Sequence, residues 1–336
     1  MCYTLYMKAI IPVAGAGKKL RPHTYTQPKA LIPLAGKTVL SIIIDQLHNE
    51  GITEFIFIIG YLGEKIEDYV TQNYPNITAH FVQQNDRQGT AHAIELTRQY
   101  INNDSVFVVL GDTICEYNVR EVLDSPYNML GVKKVDDPRN FGVAEINEDG
   151  YIAKVIEKPQ IPKSNMALVG LYKIMESHFL FNCLTKLFAE DITTLGEYNL
   201  TDALECMIQQ GAKFKAFKVD NWFDCGKKET ILESNATLLK KFGGKIADDQ
   251  LFENTVIIQP VRIAANCKIS NSIIGPNVTL GENVVITNSL LKDCIIGTYT
   301  ALYDVTLQNS LIGADATLRG KTNNLNIGDN TEIDLG

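Results

Sequence analysis

Residues 14–22 form a segment rich in glycine and lysine, and these residue types are suited to binding an anion. Gly15 and Gly17 let the backbone approach a ligand closely and present N–H groups to negative charge. Lys18 and Lys19 add positive charge directly after the second glycine. The segment therefore predicts a phosphate-binding loop, with a plain tight turn as the alternative.

Two common phosphate-binding motifs do not fit this segment. A dinucleotide-binding GxGxxG loop requires glycine where Leu20 stands, and a Walker A loop requires glycine where Pro12 stands. The loop is therefore of another kind, and an NAD-linked oxidoreductase is disfavoured.

Asp112 is a candidate for binding a divalent cation. Asp112 follows the apolar run 105–110, which predicts a buried strand and places this carboxylate at the strand's carboxyl end. Mg²⁺ prefers oxygen ligands and usually takes one or two carboxylates together with phosphate oxygens and water. The alternative for Asp112 is a helix cap or a turn residue.

Strand and helix patterns alternate along residues 8–110 and predict the scaffold that positions these side chains. The continuous apolar runs are expected of strands that are covered on both faces. The order predicts an α/β fold with a doubly wound parallel sheet, whose active site lies at the carboxyl ends of the strands. The predicted strands are 8–13, 55–59, 80–82 and 105–110, and the predicted helices are 39–49, 63–73 and 90–100.

Residues 129–174 change to strands and turns, with a hairpin predicted around residues 147–150. Helices at 177–189 and 199–210, a strand at 213–219 and a helix at 229–241 are predicted to follow. We predict a catalytic domain at 8–241, a linker at 242–254 and a third region at 255–336.

The region 255–336 repeats an aliphatic residue every six positions, as at Ile257, Ile263 and Ile269. This period predicts a parallel β-helix with one buried aliphatic side chain per repeat, and a β-sandwich is the alternative. The region contains no histidine, the usual general base of hexapeptide acyltransferases, so a second, acyl-transfer activity is not expected. The period recurs at Ile274, Leu280 and Ile286, at Ile296 and Leu302, at Ile312 and Leu318, and at Ile327 and Ile333.

The glycine-rich segment, together with Pro28-Lys29-Ala30-Leu31-Ile32-Pro33, resembles the sugar-nucleotidyltransferase family, which includes glucose-1-phosphate thymidylyltransferases and uridylyltransferases. The resemblance covers nearly all of residues 8–241. It implies a Rossmann-like nucleotidyltransferase domain, and the tail is similar to the left-handed β-helices of long-form members. The further matching segments are Gln84…Gly89-Thr90-Ala91, Gly111-Asp112, Phe141-Gly142-Val143, Glu157-Lys158-Pro159, Gly170-Leu171-Tyr172 and Trp222-Phe223-Asp224-Cys225-Gly226.

The resemblance also implies a role for each matching residue. Mg²⁺ is expected on Asp112 and Asp224. The implied catalytic residues are Lys19, Asp112, Lys158 and Asp224. The implied nucleotide-binding residues are Ala14, Gly15, Gly17, Lys19, Lys29, Gln84, Gly89 and Thr90. Gln84 is implied to read the edge of the base, with the adjacent Gln83 as the alternative. The alternative for Lys19 and Lys29 is a solvated surface charge. The implied sugar-phosphate-binding residues are Gly142, Glu157, Lys158 and Tyr172. Glu197 and Asp202 match a segment near the sugar, with helix capping as the alternative.

The lysines at 18 and 19 depart from the family pattern, which has a small hydroxyl residue followed by arginine. Lysine keeps the positive charge but lacks the planar, bidentate guanidinium. The departure is expected to affect the rate and the affinity for pyrophosphate.

The implied activity is the transfer of a nucleoside monophosphate from a nucleoside triphosphate to a sugar 1-phosphate, with release of pyrophosphate. We expect glucose 1-phosphate with dTTP first and UTP second. Guanylyl transfer to mannose 1-phosphate is less favoured. Two alternatives of other classes are a regulatory pseudoenzyme that binds nucleotide sugars without turnover, and an assembly protein built around the β-helix.

The composition sets the remaining expectations. The chain has 336 residues, 45% of them hydrophobic, which is typical of a folded protein with a core. The net charge of −8 disfavours nucleic acid and anionic membranes as partners, and the apolar runs are too short to cross a bilayer. Seven cysteines without a CxxC pair indicate reduced thiols in a cytoplasmic protein. The flat faces of a short β-helix favour a homo-oligomer.

Overall fold

The computed structural model describes residues 7–248 and 252–320, and the chain divides into two compact units. The first unit consists of Lys37–Ile231 and the chain before Leu34. The second consists of Leu34–Gly36 and the chain from Leu232 onward. Among the described residues, none of the helices combines the length and the hydropathy required to cross a bilayer.

The first half of the first unit is the predicted alternation of strands and helices. Its four long strands are parallel and lie in the order β5-β4-β1-β6. α1 begins at a capping box, in which Thr38 and Ser41 each accept a hydrogen bond from the other's backbone N–H. The elements are β1 (Met7–Pro12), β2 (Pro33–Leu34), β3 (Lys37–Thr38), α1 (Val39–His48), β4 (Glu54–Ile59), α2 (Gly63–Asn73), β5 (Thr78–Gln83), α3 (Thr90–Glu95) and β6 (Ser105–Val109).

Helix α3 ends earlier than the sequence predicts. The helix predicted over 90–100 is divided into α3 and a 3₁₀ turn at Arg98–Tyr100. The hydroxyl of Thr97 is buried and donates to the carbonyl oxygen of Ile94 at 2.7 Å. The side chain thus satisfies a carbonyl group that a backbone N–H would bind if the helix continued.

The second half of the unit adds mostly antiparallel strands to the parallel ones. β11 pairs antiparallel with β6, and the whole sheet has nine strands in the path β10-β9-β11-β6-β1-β4-β5, with β8 joining β11 to β12. The α/β fold is confirmed, but the strands added in the second half pair antiparallel, except that β12 runs parallel to β8. The elements are β7 (Thr113–Glu116), α4 (Val119–Asp124), β8 (Asn128–Lys134), β9 (Gly142–Ile146), β10 (Ile152–Glu157), β11 (Met166–Ile174), α5 (Ser177–Ala189), α6 (Leu200–Gln209), β12 (Phe214–Lys218), β13 (Asn221–Asp224) and α7 (Lys228–Phe242).

The core of this unit lies on both faces of the sheet. Phe55 and Phe107 are fully buried on one face, and Ile56 and Val106 are fully buried on the other. This is expected of strands that are covered on either side. In the sheet, β4 lies on one side of β1, and the later strand β6 lies on the other side. The direction in which successive strands are added therefore reverses at β1. A crevice opens at the carboxyl ends of the strands at such a point, and ligands of α/β proteins bind there.

The second unit contains a prism of short parallel strands, which confirms the predicted β-helix. Three ladders run along it: β14-β16-β19-β22-β25, β15-β18-β21-β24 and β17-β20-β23-β26. The strands are β14 (Lys245–Ile246), β15 (Val256–Ile257), β16 (Val261–Ile263), β17 (Lys268–Ser270), β18 (Ile273–Ile274), β19 (Val278–Leu280), β20 (Val285–Thr287), β21 (Leu290–Lys292), β22 (Ile295–Ile296), β23 (Ala301–Tyr303), β24 (Thr306–Gln308), β25 (Leu311–Ile312) and β26 (Thr317–Arg319).

The aliphatic repeats point into this prism. Ile263, Leu280 and Ile296 are buried in one ladder of its interior. Ile257 pairs with Ile274, a step of 17 residues, and Leu291 pairs with Leu307, a step of 16. A coil with three faces of six residues each would contain 18 residues. The observed coils are one or two residues shorter, and this shortening explains why the six-residue spacing of aliphatic residues is interrupted and begins again along the tail. The predicted repeats at Ile327 and Ile333 lie outside the described residues.

The border between the two units does not coincide with the predicted linker at 242–254. It falls inside α7, between Ile231 and Leu232. Lys245–Ile246, within the predicted linker, already pair with β16 as the first strand of the prism.

The six cysteines among the described residues are buried thiols.

Candidate active site

The two candidate metal ligands are brought together by one short antiparallel pair of strands. β7 pairs with β13 so that Asp224 lies opposite Thr113, the neighbour of Asp112. The backbone N–H of Cys225 donates to the carbonyl oxygen of Asp112 at 3.1 Å. Gly226 N–H donates to Asp224 Oδ1 at 2.9 Å and fixes that carboxylate. Both aspartates line the same cleft, of about 310 Å³.

A lysine from the second predicted motif also reaches this point. Lys29 Nζ lies 2.7 Å from Asp112 Oδ2, and the lysine side chain is 16% exposed while that of the aspartate is 47% exposed. Burial raises the pKa of the nearby Cys225 thiol to about 12; Lys29 opposes this rise, and Asp112 and Asp224 add to it. Cys225 is therefore a neutral thiol at neutral pH, close enough to the three charged side chains for each to affect its pKa.

The residues at this point fit a magnesium ion that is shared with a phosphate ligand. Among the described residues there is no group of three or more His, Cys, Asp or Glu side chains arranged to hold a metal. Asp112 and Asp224 would therefore be two protein ligands, with phosphate oxygens and water completing the shell, as Mg²⁺ commonly requires. The Lys29 ammonium already bound to Asp112 indicates that this position attracts a cation.

The predicted sugar-phosphate residues line the same cleft as the aspartates. Gly142, Glu157, Lys158 and Tyr172 all contribute to its wall. Thr201 Oγ1 donates to Glu157 Oε2 at 2.8 Å, and Lys158 Nζ lies 3.5 Å from Glu157 Oε1. Burial raises the pKa of Tyr172, and Glu157 and Asp112 add to the rise, so its hydroxyl remains protonated. The cleft thus offers an acceptor, an ammonium and a hydroxyl in one place.

Most of the predicted nucleotide-binding residues line a second cleft of about 250 Å³. Thr90 and Asp112 line both clefts, so the two adjoin at the carboxylate. Gly89 has φ +116°, and a Cβ there would lie 2.3 Å from the carbonyl oxygen of Tyr198, so this position requires glycine. The predicted residues in this cleft are Ala14, Gly15, Lys29, Gln84, Gly89 and Thr90.

Two predicted residues lie outside both clefts. Lys19 is exposed and lines neither of them. Gly17 has φ +60° and accepts a hydrogen bond from Thr24 Oγ1 at 2.8 Å, so the structure gives it a turn-forming position. Their roles toward a triphosphate stay predictions.

The structure adds residues to which the sequence assigned no role. Trp222 lines the sugar-side cleft, and its buried Nε1–H has no hydrogen-bond partner among the described residues. Its ring packs edge-on against Phe141, with centroids 4.7 Å apart. Thr201 was missed as the partner of Glu157. In the sequence, Trp222 was indicated only by its place in the matching segment that contains Asp224, and Thr201 only by its place next to Asp202.

The predictions for Glu197 and Asp202 have different outcomes. Glu197 lines both clefts. Asp202 lies in the first turn of α6, lines neither cleft and accepts from Thr194 Oγ1 at 3.1 Å.

Comparison with known proteins shows which family the chain matches. The family model described as nucleotidyl transferase matches residues 8–241. The bifunctional protein GlmU of Methanocaldococcus jannaschii is 37% identical over 258 residues, which are 75% of this chain and 60% of that protein. A glucose-1-phosphate thymidylyltransferase of Streptomyces antibioticus is 28% identical over 360 residues, covering 98% of this chain and 99% of the relative.

A solved structure with a similar fold agrees with this family match. A crystal structure assigned as a glucose-1-phosphate thymidylyltransferase of Bacillus anthracis, in complex with sucrose, superposes with a TM-score of 0.60 and 26% identity. The match covers 69% of this chain and 94% of that one. The chain spans about 60% of the length of the GlmU relative, so the whole activity of that protein does not carry over.

Proposed function

This chain belongs to the nucleotidyl transferase family, and we propose that it joins the nucleoside monophosphate part of a nucleoside triphosphate to a sugar 1-phosphate. An oxygen of the sugar phosphate attacks the α-phosphorus in line. The bond from the α-phosphorus to the bridging oxygen breaks, and pyrophosphate leaves. The products are a nucleoside diphosphate sugar and pyrophosphate.

One observation carries this proposal: Asp112 lines both clefts, and Asp224 lines one of them and lies opposite Thr113, the neighbour of Asp112. A triphosphate in the cleft of Gln84 and Gly89 would place its α-phosphate beside these carboxylates. A sugar 1-phosphate in the cleft of Glu157 would approach the same point from the other side. Such an arrangement supports direct transfer by positioning two charged substrates, without a protein nucleophile.

The chain's own residues supply binding and charge. Lys158 holds the attacking phosphate, which is ionised near neutral pH, so the step needs no general base. Glu157 accepts from sugar hydroxyls and is held by Thr201. Lys29 and the backbone N–H groups near Gly15 offset negative charge on the triphosphate. When bound to Asp112 and Asp224, Mg²⁺ would supply Lewis-acid polarisation of the α-phosphate.

For the substrates we propose glucose 1-phosphate and dTTP. Support comes from the thymidylyltransferase of Streptomyces antibioticus, because it and this chain match over nearly their full lengths. A homo-oligomer formed through the β-helix stays a prediction.

The test is a matrix of dTTP, UTP, GTP and ATP against glucose, N-acetylglucosamine and mannose 1-phosphates, read by pyrophosphate release with Mg²⁺. We expect the highest kcat/KM for dTTP with glucose 1-phosphate. Another preferred pair would correct the substrates and keep the reaction. Nucleotide binding without pyrophosphate release would favour the regulatory pseudoenzyme, and absence of binding would favour an assembly protein.

A further inference from the structure

Asn235, in helix α7, is a fully buried polar residue whose side chain makes three hydrogen bonds. Its Oδ1 accepts from the backbone N–H of Ala35 at 2.9 Å and from Thr279 Oγ1 at 2.7 Å. Its Nδ2 donates to the carbonyl oxygen of Asn277 at 3.2 Å. A backbone N–H can only donate and a backbone carbonyl can only accept, so these two partners fix the orientation of the amide.

Ala35 lies at the tip of the hairpin that joins β2 to β3. Ala35 and Gly36 have φ of +49° and +78°, as a tight two-residue turn requires. Positive φ is unfavourable for alanine, so the turn depends on its surroundings. Leu34–Gly36 belong to the second unit, although the chain on both sides of them belongs to the first. The bond from Ala35 to Asn235 therefore ties this tip to α7.

The segment that leads to this tip starts at Lys29, the partner of Asp112. Lys29–Leu31 form a 3₁₀ turn, and the buried Ile32 closes it by donating its N–H to the carbonyl oxygen of Lys29 at 3.2 Å. The turn and the buried side chains leave this short segment little freedom. A displacement of Ala35 therefore also moves the Lys29 segment.

Helix α7 leads to Asn235 from the other side, that of Asp224. The helix begins four positions after Asp224, and Asn235 lies about two turns into it. At its start, the N–H of Cys225 donates to the carbonyl oxygen of Asp112 at 3.1 Å. The chain thus forms a closed circuit of covalent and hydrogen bonds, from Lys29 along the hairpin to Asn235 and back along α7 to Asp224.

We propose that Asn235 is a positioning residue that holds the Lys29 ammonium beside Asp112 for the triphosphate; this inference rests on the proposed function. Asn235 lines neither cleft, so it acts through the hairpin. Without its side chain, the N–H of Ala35 loses its acceptor in a buried setting, where hydrogen bonds are costly to lose. The tip then relaxes, and Lys29 leaves the position in which it offsets the charge of the triphosphate.

Three variants separate this hydrogen bond from general stability. Asn235→Leu keeps a similar volume but removes the acceptor for Ala35. Thr279→Val is the matched control, because it removes one hydrogen bond from the same amide and leaves the bond to Ala35. Lys29→Met removes the ammonium itself. Circular dichroism and thermal unfolding check each fold, and Asn235→Ala replaces Asn235→Leu should the latter not fold.

The measurements are Kd by calorimetry for dTTP with Mg²⁺, or for whichever triphosphate the wild type binds most tightly, and the KM of each substrate from pyrophosphate release. In Asn235→Leu we expect Kd and KM for the triphosphate to rise about tenfold, the equivalent of one hydrogen bond. The KM for the sugar 1-phosphate should stay within about twofold. Thr279→Val should lower the unfolding temperature and keep the wild-type Kd within about twofold.

The double variant Lys29→Met/Asn235→Leu tests whether Asn235 acts through Lys29. If it does, adding Asn235→Leu to Lys29→Met should change Kd by less than about twofold, because the ammonium is already absent. A residue that only stabilises the fold would weaken binding equally in both backgrounds.

An unchanged Kd in a folded Asn235→Leu or Asn235→Ala would overturn the inference. An equal loss in Thr279→Val, or independent losses in the double variant, would also overturn it, because stability would then be the cause. A wild-type Kd in Lys29→Met would contradict it, since the ammonium would not contact the triphosphate. Binding of the triphosphate without pyrophosphate release would defeat the proposed reaction alone, and the Kd series would still decide the role of Asn235.

Discussion

Lys29 and Asp112 form an ion pair with an Nζ–Oδ2 distance of 2.7 Å, although 83 positions separate them in the chain. The pair joins the proline-lysine motif to the carboxylate at the end of β6. It places an ammonium at the point where the two clefts adjoin. The charge needed on the triphosphate side and the carboxylate needed for the metal are therefore adjacent before any ligand binds.

Asp112→Asn should lower kcat by on the order of 10²-fold or more, a loss of about 3 kcal/mol in transition-state stabilisation, because the amide lacks the negative charge that binds the cation. Steady-state pyrophosphate release measures the effect. Asp124→Asn, at an exposed position paired with Arg120, is the matched control and should keep the wild-type rate. Near-normal turnover of Asp112→Asn would remove the metal assignment.

Removal of divalent cations with EDTA should abolish pyrophosphate release, and added Mg²⁺ should restore it. A second readout is thermal stabilisation by Mg²⁺ with a triphosphate, which should be present in the wild type and reduced in Asp112→Asn. Turnover that persists in EDTA would show that the two aspartates act without a metal.

Trp222→Phe should raise the KM for the sugar 1-phosphate by about tenfold, because the buried, unpartnered Nε1–H can donate to a ligand once the side chain turns toward the cleft that it lines. Phenylalanine keeps an aromatic ring against Phe141, so the unfolding temperature should change little. The KM for the triphosphate serves as the internal control and should stay constant. An unaltered KM for the sugar phosphate would mean that the indole N–H does not contact it.

Lys173→Met should lower the free energy of unfolding at pH 7 by about 3 kcal/mol, measured by urea unfolding. Lys173 is fully buried, and its Nζ donates to the carbonyl oxygens of Val122 and Leu123 at 2.9 Å and also to that of Ser125. Methionine fills a similar volume but leaves these acceptors at the end of α4 without a donor. A variant as stable as the wild type would show that removal of the buried charge offsets this loss.

The same residue gives a pH dependence with a defined sign. Burial lowers the pKa of Lys173 from its ordinary 10.5 to about 8, while Asp124 opposes the change. Between these values the unfolded chain binds more protons than the folded one, so this residue makes stability rise as pH rises. The difference in unfolding free energy between the wild type and Lys173→Met should therefore grow from pH 8 to 10.5. A constant difference over that window would contradict the lowered pKa.

The local patterns of the sequence determined much of the architecture. The bounds predicted for the helices at 63–73 and 177–189 agree with α2 and α5. The aliphatic period predicted the β-helix, and the ordered motifs predicted a family that the comparison confirms. Such features depend on neighbouring residues in the chain, whose spacing alone decides which face is buried.

Only the tertiary structure decided what each functional side chain contacts. The pairing of β7 with β13 places Asp224 beside Asp112, and no local pattern encodes that register. The same holds for the ion pair of Lys29, the free N–H of Trp222 and the contact between Gln84 and His92. The strand pairing and the ion pair join residues distant in sequence, while Gln84 and His92 are only eight positions apart. All of these features depend on the packing of whole elements, which one sequence read locally does not specify.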